Sequence, residues 1–195
     1  MKNSVSKLMG ALALLALSAA GAQTPSYPER SVELVVPWAA GGGTDSMARS
    51  FAEAAKKHMA QLFAVNNKPG ATGSIGFSDV ARAAPDGYKV SVLTAEVSII
   101  PHMGTGKVSQ DDFIPVARFN ALASALGVPK STPANVVNTL KTVALKSVSE
   151  PVLIEAMDKM NLNAAFADDV AFKAQMVKDS ETFRVLVDNL KLKTN

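Results

Sequence analysis

The sequence predicts an α/β fold: a mostly parallel sheet flanked by helices, with C-terminal helices packing back on it. Three observations predict it. Short β-branched or apolar runs at 31–36, 63–67 and 88–93 are separated by amphipathic stretches. A glycine-bearing loop follows each of the first two runs and opens a helix. That order, strand, loop, helix, strand, is the signature of βαβ units and a parallel sheet. Beyond residue 130, apolar residues recur at helical spacing.

Composition narrows the class. The chain has 195 residues, which fits one domain or at most two small ones. Its 48% hydrophobic and 19% charged content excludes a disordered chain. It has no cysteine, which excludes a disulfide scaffold, a cysteine-ligated zinc, a thiol nucleophile and a lipidated N-terminal cysteine. The 20 basic and 17 acidic residues come near balance once Lys2 and Lys7 are set aside. With few aromatics as well, nothing supports nucleic-acid binding. Those two lysines precede an apolar run at 8–17, and Ala20-Gly21-Ala22 then offers small residues for cleavage. This is the layout of a secretory signal peptide over 1–22, cleaved after Ala22. As a helix the run would be about 15 Å long, too short for a hydrocarbon core of roughly 30 Å.

Residues 24–30, with Pro25 and Pro28, read as a lead-in. The run 31–36 is a strand stopped by Pro37. Trp38-Ala39-Ala40-Gly41-Gly42-Gly43 is a loop, and Thr44 or Asp45 can cap the next helix, expected to reach about Leu62. A second strand, 63–67, leads into the loop 68–73, and Ser74 opens a helix ending near Ala84. Pro85-Asp86-Gly87 is a turn before the third strand, 88–93. The segments 113–117 and 125–129 are short and apolar, and after them the chain reads as helical. Val136, Val137, Leu140, Val143 and Ala144 form one buried stripe; Leu153, Ile154 and Met157 form the next. Asp168-Asp169 opens a last helix with Phe172, Met176, Phe183, Leu186, Val187 and Leu190.

In such sheets ligands bind beyond the C-terminal ends of the strands. Both glycine loops and Thr94-Ala95-Glu96 fall there. Glycines admit a close ligand, and the N–H groups and dipole at a helix start attract a carboxylate. The first loop is neither a P-loop, since no Lys-Ser/Thr pair follows, nor G-x-G-x-x-G, since Ser46 stands at the third glycine. A plain strand-to-helix turn is the competing reading. Thr72-Gly73-Ser74-Ile75-Gly76 is similar to a nucleophile elbow, but Thr72 stands where glycine is needed. His58, read as mid-helix, and His102, read as lying in a polar loop, complete neither a triad nor a metal site. Asp111-Asp112 and Asp168-Asp169 read as turn and cap residues.

These residues resemble a known family. Tyr27-Pro28-Glu29-Arg30, Val35 to Asp45, Val65 to Gly76, Ala84 to Tyr88 and Asp112 to Ala117 match, in order and spacing, the extracytoplasmic solute-binding proteins of tripartite tricarboxylate transporters, the Bug (TctC-like) family. Val128 to Pro133, Glu150-Pro151-Val152 and the helix 172–192 are similar less strictly. The resemblance implies a type II periplasmic-binding-protein-like fold, a periplasmic location, no catalysis, no cofactor, and delivery of a small ligand (a carboxylate, amino acid or amide) to membrane permease subunits. It implies ligand contacts at Trp38, Ala39, Ala40, Gly41, Gly42, Gly43, Thr44, Asp45, Thr72, Ser74 and Thr94, and places Glu96 beside them.

Two departures stand out. The family's second lobe has no counterpart: its later Tyr-Lys-Gly segment is missing, and the chain's tyrosines are Tyr27 and Tyr88. We therefore expect a single lobe over 23–195, with a βαβαβ half at 23–118, a shortened junction at 119–130 and a helical part at 131–195. Such a lobe leaves its cleft face uncovered, a surface for self-association. The second departure is Glu96, where family members carry small or hydroxyl residues; in the cleft it would repel an anion and favour an amide or cation, and otherwise it points to solvent. Two other readings stay open: a folded remnant or interaction module, and a small secreted α/β enzyme with phosphate loops, for which Lys68 is the candidate cation.

Overall fold

The computed structural model describes residues 27–120, 124–162 and 164–193. The expected signal peptide, 1–22, and its cleavage site lie outside the described residues. In chain order the elements are β1 (Val32–Val36), α1 (Gly43–Ala55), β2 (Phe63–Asn67), α2 (Ser74–Ala81), β3 (Lys89–Leu93), α3 (Glu96–Met103), β4 (Phe113–Asn120), β5 (Ala125–Pro129), α4 (Ala134–Ser147), α5 (Pro151–Lys159), β6 (Ala164–Asp168) and α6 (Asp169–Leu190). They build one six-stranded sheet, ordered β2-β1-β3-β5-β4-β6.

β1 pairs in parallel with β2 and β3, as the two βαβ units require. The other half is antiparallel: β5 against β3 and β4, and β6 against β4. The expectation of a mostly parallel sheet thus holds for β2-β1-β3 and fails beyond it. The link from Asn120 to Ala125 is too short for the crossover that a parallel pair needs, so β4 and β5 form a hairpin.

Strand alternation sorts the core into two layers. Val32, Leu34 and Val36 of β1, Val90 and Val92 of β3, and Leu126 and Val128 of β5 face α1, α4 and α5. Val35, Leu93 and Ala125 face α2, α3 and α6 through Phe77, Val97, Ile100, Phe172 and Met176. The C-terminal helices therefore cover the same sheet that the βαβ units build.

Several boundaries differ from the expectations. α1 ends at Ala55, not near Leu62, because the next amides tighten into i→i−3 bonds. α2 ends at Ala81. Glu96 and His102, read as loop residues, lie in α3, which burial of Val97 and Ile100 holds together despite Pro101. β6 was expected as helix; Ala-Ala-Phe-Ala-Asp forms a strand because the edge of β4 offers it hydrogen bonds. In α6, Phe172, Met176 and Val187 are buried, but Leu186 and Leu190 are exposed. That 22-residue helix, about 33 Å long, outruns the sheet it packs on.

One close approach fixes the loop after β1 against α2. A Cβ at Gly76 would lie 2.9 Å from the Lys68 carbonyl oxygen and from Pro37 Cα. Backbone cannot yield there as a side-chain tip can. Gly76→Ala is expected to destabilise the fold by about 1–3 kcal/mol, read as a lower urea midpoint at unchanged slope. An unchanged midpoint would show that the contact is slack.

Candidate functional site

Because β1, β2 and β3 are parallel neighbours, their C-terminal ends share one edge of the sheet. A depression of about 510 Å³ opens there. One wall is Trp38 with Gly43 and Thr44, the start of α1. A second part of the lining is Thr94, Ala95 and Glu96, the turn from β3 into α3. Ser124, at the entry to β5, and Leu162, after α5, complete it. Neither helix start carries a side-chain cap. At α1 the first-turn N–H groups, with the positive dipole end, are therefore open to an acceptor, whereas at α3 the Val97 and Ser98 N–H groups already donate to the Thr94 and Ala95 carbonyls at 3.1 and 3.0 Å. The indole N–H of Trp38 donates to Thr94 Oγ1 at 3.3 Å and ties the two parts together.

The glycine loop is held from below. Asp45 is 3% exposed. Its Oδ2 accepts from the Gly41 N–H at 2.8 Å and from Arg49 Nε at 3.0 Å, and its Oδ1 accepts from Asn67 Nδ2 at 2.9 Å. The same Asn67 amide donates to the Trp38 carbonyl at 3.0 Å, and Asn67 Oδ1 accepts from Arg49 at 3.0 Å. Gly41 has φ +84°, a left-handed backbone that favours glycine. Burial pushes the Asp45 carboxyl upward, but the bonds from Arg49, Gly41 and Asn67 outweigh it and hold it below the usual carboxylate range. Asn120, fully buried at the end of β4, accepts the Ser124 N–H through Oδ1 at 3.2 Å. Among the described residues its Nδ2 has no hydrogen-bond partner.

A family model described as tripartite tricarboxylate transporter family receptor matches residues 47–146. The chain belongs to the tripartite tricarboxylate transporter receptor family. Among its curated relatives is the UPF0065 protein in the gbd 5' region of Cupriavidus necator, 34% identical over 134 residues, which cover 65% of this chain and 39% of the relative. The chain spans less than half the length of the curated relatives it matches. Among solved structures, a TctC solute binding protein from Polaromonas, without ligand, superimposes with a TM-score of 0.80 at 26% identity, covering 84% of this chain and 100% of that one. MatC from Rhodopseudomonas palustris, with bound malate, gives a TM-score of 0.70 at 15% identity, covering 83% and 100%, and shares the fold. The periplasmic binding protein BugD shares the fold as well, with a TM-score of 0.78 at 19% identity, covering 87% of this chain and 100% of that one.

Within this receptor fold the expected site residues divide. Trp38, Gly43, Thr44, Thr94 and Glu96 line the depression together. Ala39, Ala40, Gly41 and Gly42 are exposed on the loop above and are not part of its lining. Asp45 braces the loop instead of capping α1, whose N-cap is Gly42. Thr72 is exposed with φ 54° in a short 3₁₀ turn, and Ser74 is buried against Gly106; neither lines the depression. Residue-by-residue reading did not single out Arg49, Asn67, Ser124 or Leu162. Asn67 carried a signal, a polar side chain ending a strand beside a glycine loop; Ser124 and Leu162 are brought in by tertiary structure alone. His58 lies beyond α1, with Nε2 2.7 Å from Glu150 Oε1, and His102 lies in the last turn of α3, with Nε2 2.9 Å from Ser180 Oγ. Lys68 pairs with Asp79 at 2.7 Å and Glu33 at 3.4 Å, so it is engaged away from the glycine loops. No helix among the described residues is long and apolar enough to cross a membrane.

Proposed function

We propose that the protein is an exported, periplasmic solute-binding protein of a tripartite tricarboxylate-type system. It binds a small carboxylate-bearing metabolite in the depression and hands it to membrane permease subunits. The observation that carries this reading is the meeting of the uncapped start of α1, at Gly43, with the hydroxyl-bearing residues Thr44, Thr94 and Ser124 in one concavity. Backbone N–H groups at a helix start are a ready anion site. The fold shared with malate-bound MatC supports the choice of ligand class.

The second part of the proposal concerns architecture. Residues 119–130 stand where a second lobe would be inserted, so the depression lies open on one face. A two-lobed receptor excludes water from both sides of its ligand, which strengthens charge-assisted bonds. One lobe forgoes half of that, and an exposed helix dipole contributes only about 0.3–1 kcal/mol. The expected dissociation constant is on the order of millimolar, near −4 kcal/mol.

Trp38 is the chain's single tryptophan and lines the depression, so its fluorescence reports occupancy. Titration with dicarboxylates, tricarboxylates, amino acids and amides should give a saturable change with at least one of them. A flat response to every compound would remove the receptor reading. Micromolar binding by a monomer would show that one lobe suffices.

A further inference from the structure

We infer that Glu96 makes the depression selective for a ligand bearing a positively charged nitrogen as well as a carboxylate, an amino acid in preference to a dicarboxylate. This rests on the reading of the depression as the ligand site. Glu96 is half-buried in the first turn of α3 and lines the depression. The other side chains of the lining, from Trp38, Thr44, Thr94, Ser124 and Leu162, are uncharged. Among the described residues no ion pair or hydrogen bond engages the Glu96 carboxylate.

A half-buried carboxylate without a partner gains most from a ligand cation. A second carboxylate placed beside it meets like-charge repulsion with no lining cation to offset it. That repulsion disfavours a diacid more than it disfavours a zwitterion. In the same lining, Gly43 and Thr44 at the start of α1 offer N–H groups and the positive dipole end to the ligand's own carboxylate. The α1 start therefore favours an anion and Glu96 a cation within one lining. A dicarboxylate satisfies the first and is opposed by the second; an amino acid satisfies both.

Four acids of equal carbon number test this: succinate against 4-aminobutyrate, and malate against aspartate. Each is titrated by Trp38 fluorescence into the wild type, Glu96→Gln and Glu96→Asp, with thermal unfolding to verify that the variants fold. In the wild type at least one amine-bearing acid should bind tenfold or more tighter than its amine-free counterpart. Glu96→Gln should bring that ratio close to one, partly by strengthening the dicarboxylate, and Glu96→Asp should retain the preference. Equal binding within both pairs in the wild type, a preference for the dicarboxylates, or an unchanged ratio in Glu96→Gln would overturn the inference while leaving the receptor reading intact. Absence of binding by all four acids to the wild type and to Glu96→Gln would overturn the inference, and a flat response to the tricarboxylates and amides as well would overturn both.

Discussion

Phe51→Ala should lower the unfolding free energy by about 3–5 kcal/mol, the range for emptying an aromatic site in a close-packed core. Phe51 is 1% exposed. Its ring lies 5.2 Å from that of Phe63 on β2 and 4.7 Å from that of Phe119 on β4. These strands stand at the edge of the sheet and four places across it, so one side chain of α1 anchors the helix over most of the sheet's width. The cavity would be bounded by elements that the sheet's hydrogen bonds hold in place, which limits collapse and puts the loss in the upper part of the range. For a domain of this size the melting temperature should fall by roughly 10 °C or more. Leu145→Ala, on the outer face of α4 and 57% exposed, should stay within about 0.5 kcal/mol. Chemical denaturation of both variants checks this. A Phe51→Ala loss below about 1 kcal/mol would mean that the α1 layer is not a principal part of the core.

The βαβαβ half was legible because each of its signals is local. A β-branched run, a glycine loop and a helical stripe each span only a few residues, and the parallel register of β1, β2 and β3 follows from their order. The same logic placed Trp38, Thr44, Thr94 and Glu96 at one edge of the sheet. What escaped was decided at long range. β6 has no strand propensity of its own and exists because β4 has an edge to fill. α3 contains a proline and is held by the packing of Val97 and Ile100. Ser124 and Leu162 reach the depression from residues thirty and more beyond Thr94, and no spacing rule relates them to it. Asp45 was legible as a special residue and misread in its role: a carboxylate at a helix start suggests a cap or a ligand contact, and only its three donors show that it braces the loop.

Asp45→Asn separates that bracing role from ligand contact. The substitution keeps the shape of the side chain and replaces one acceptor oxygen with an NH₂ group. All three neighbours are donors: the Gly41 N–H, Arg49 Nε and Asn67 Nδ2. The new NH₂ must therefore oppose at least one of them inside a buried site, and charge-assisted bonds are lost to the rest. The expected cost is about 1.5–3 kcal/mol. Arg49 is 53% exposed, so Arg49→Ala should cost less, about 1 kcal/mol or below. The pH dependence carries the decisive sign. Asp45 has a folded-state value below its reference of 3.8, so its contribution is present in full above that reference. It is lost as pH falls from there through the native value. Asp45→Asn should accordingly be less stable than the wild type at neutral pH, and the gap between them should narrow on acidification below about pH 4. The loop would also lose its pin at Gly41 and, through Asn67, its hold on the Trp38 carbonyl, so Trp38 fluorescence should shift without ligand. A stability gap that stays constant from neutral to acid pH would show that the Asp45 carboxylate is not what holds the glycine loop in place.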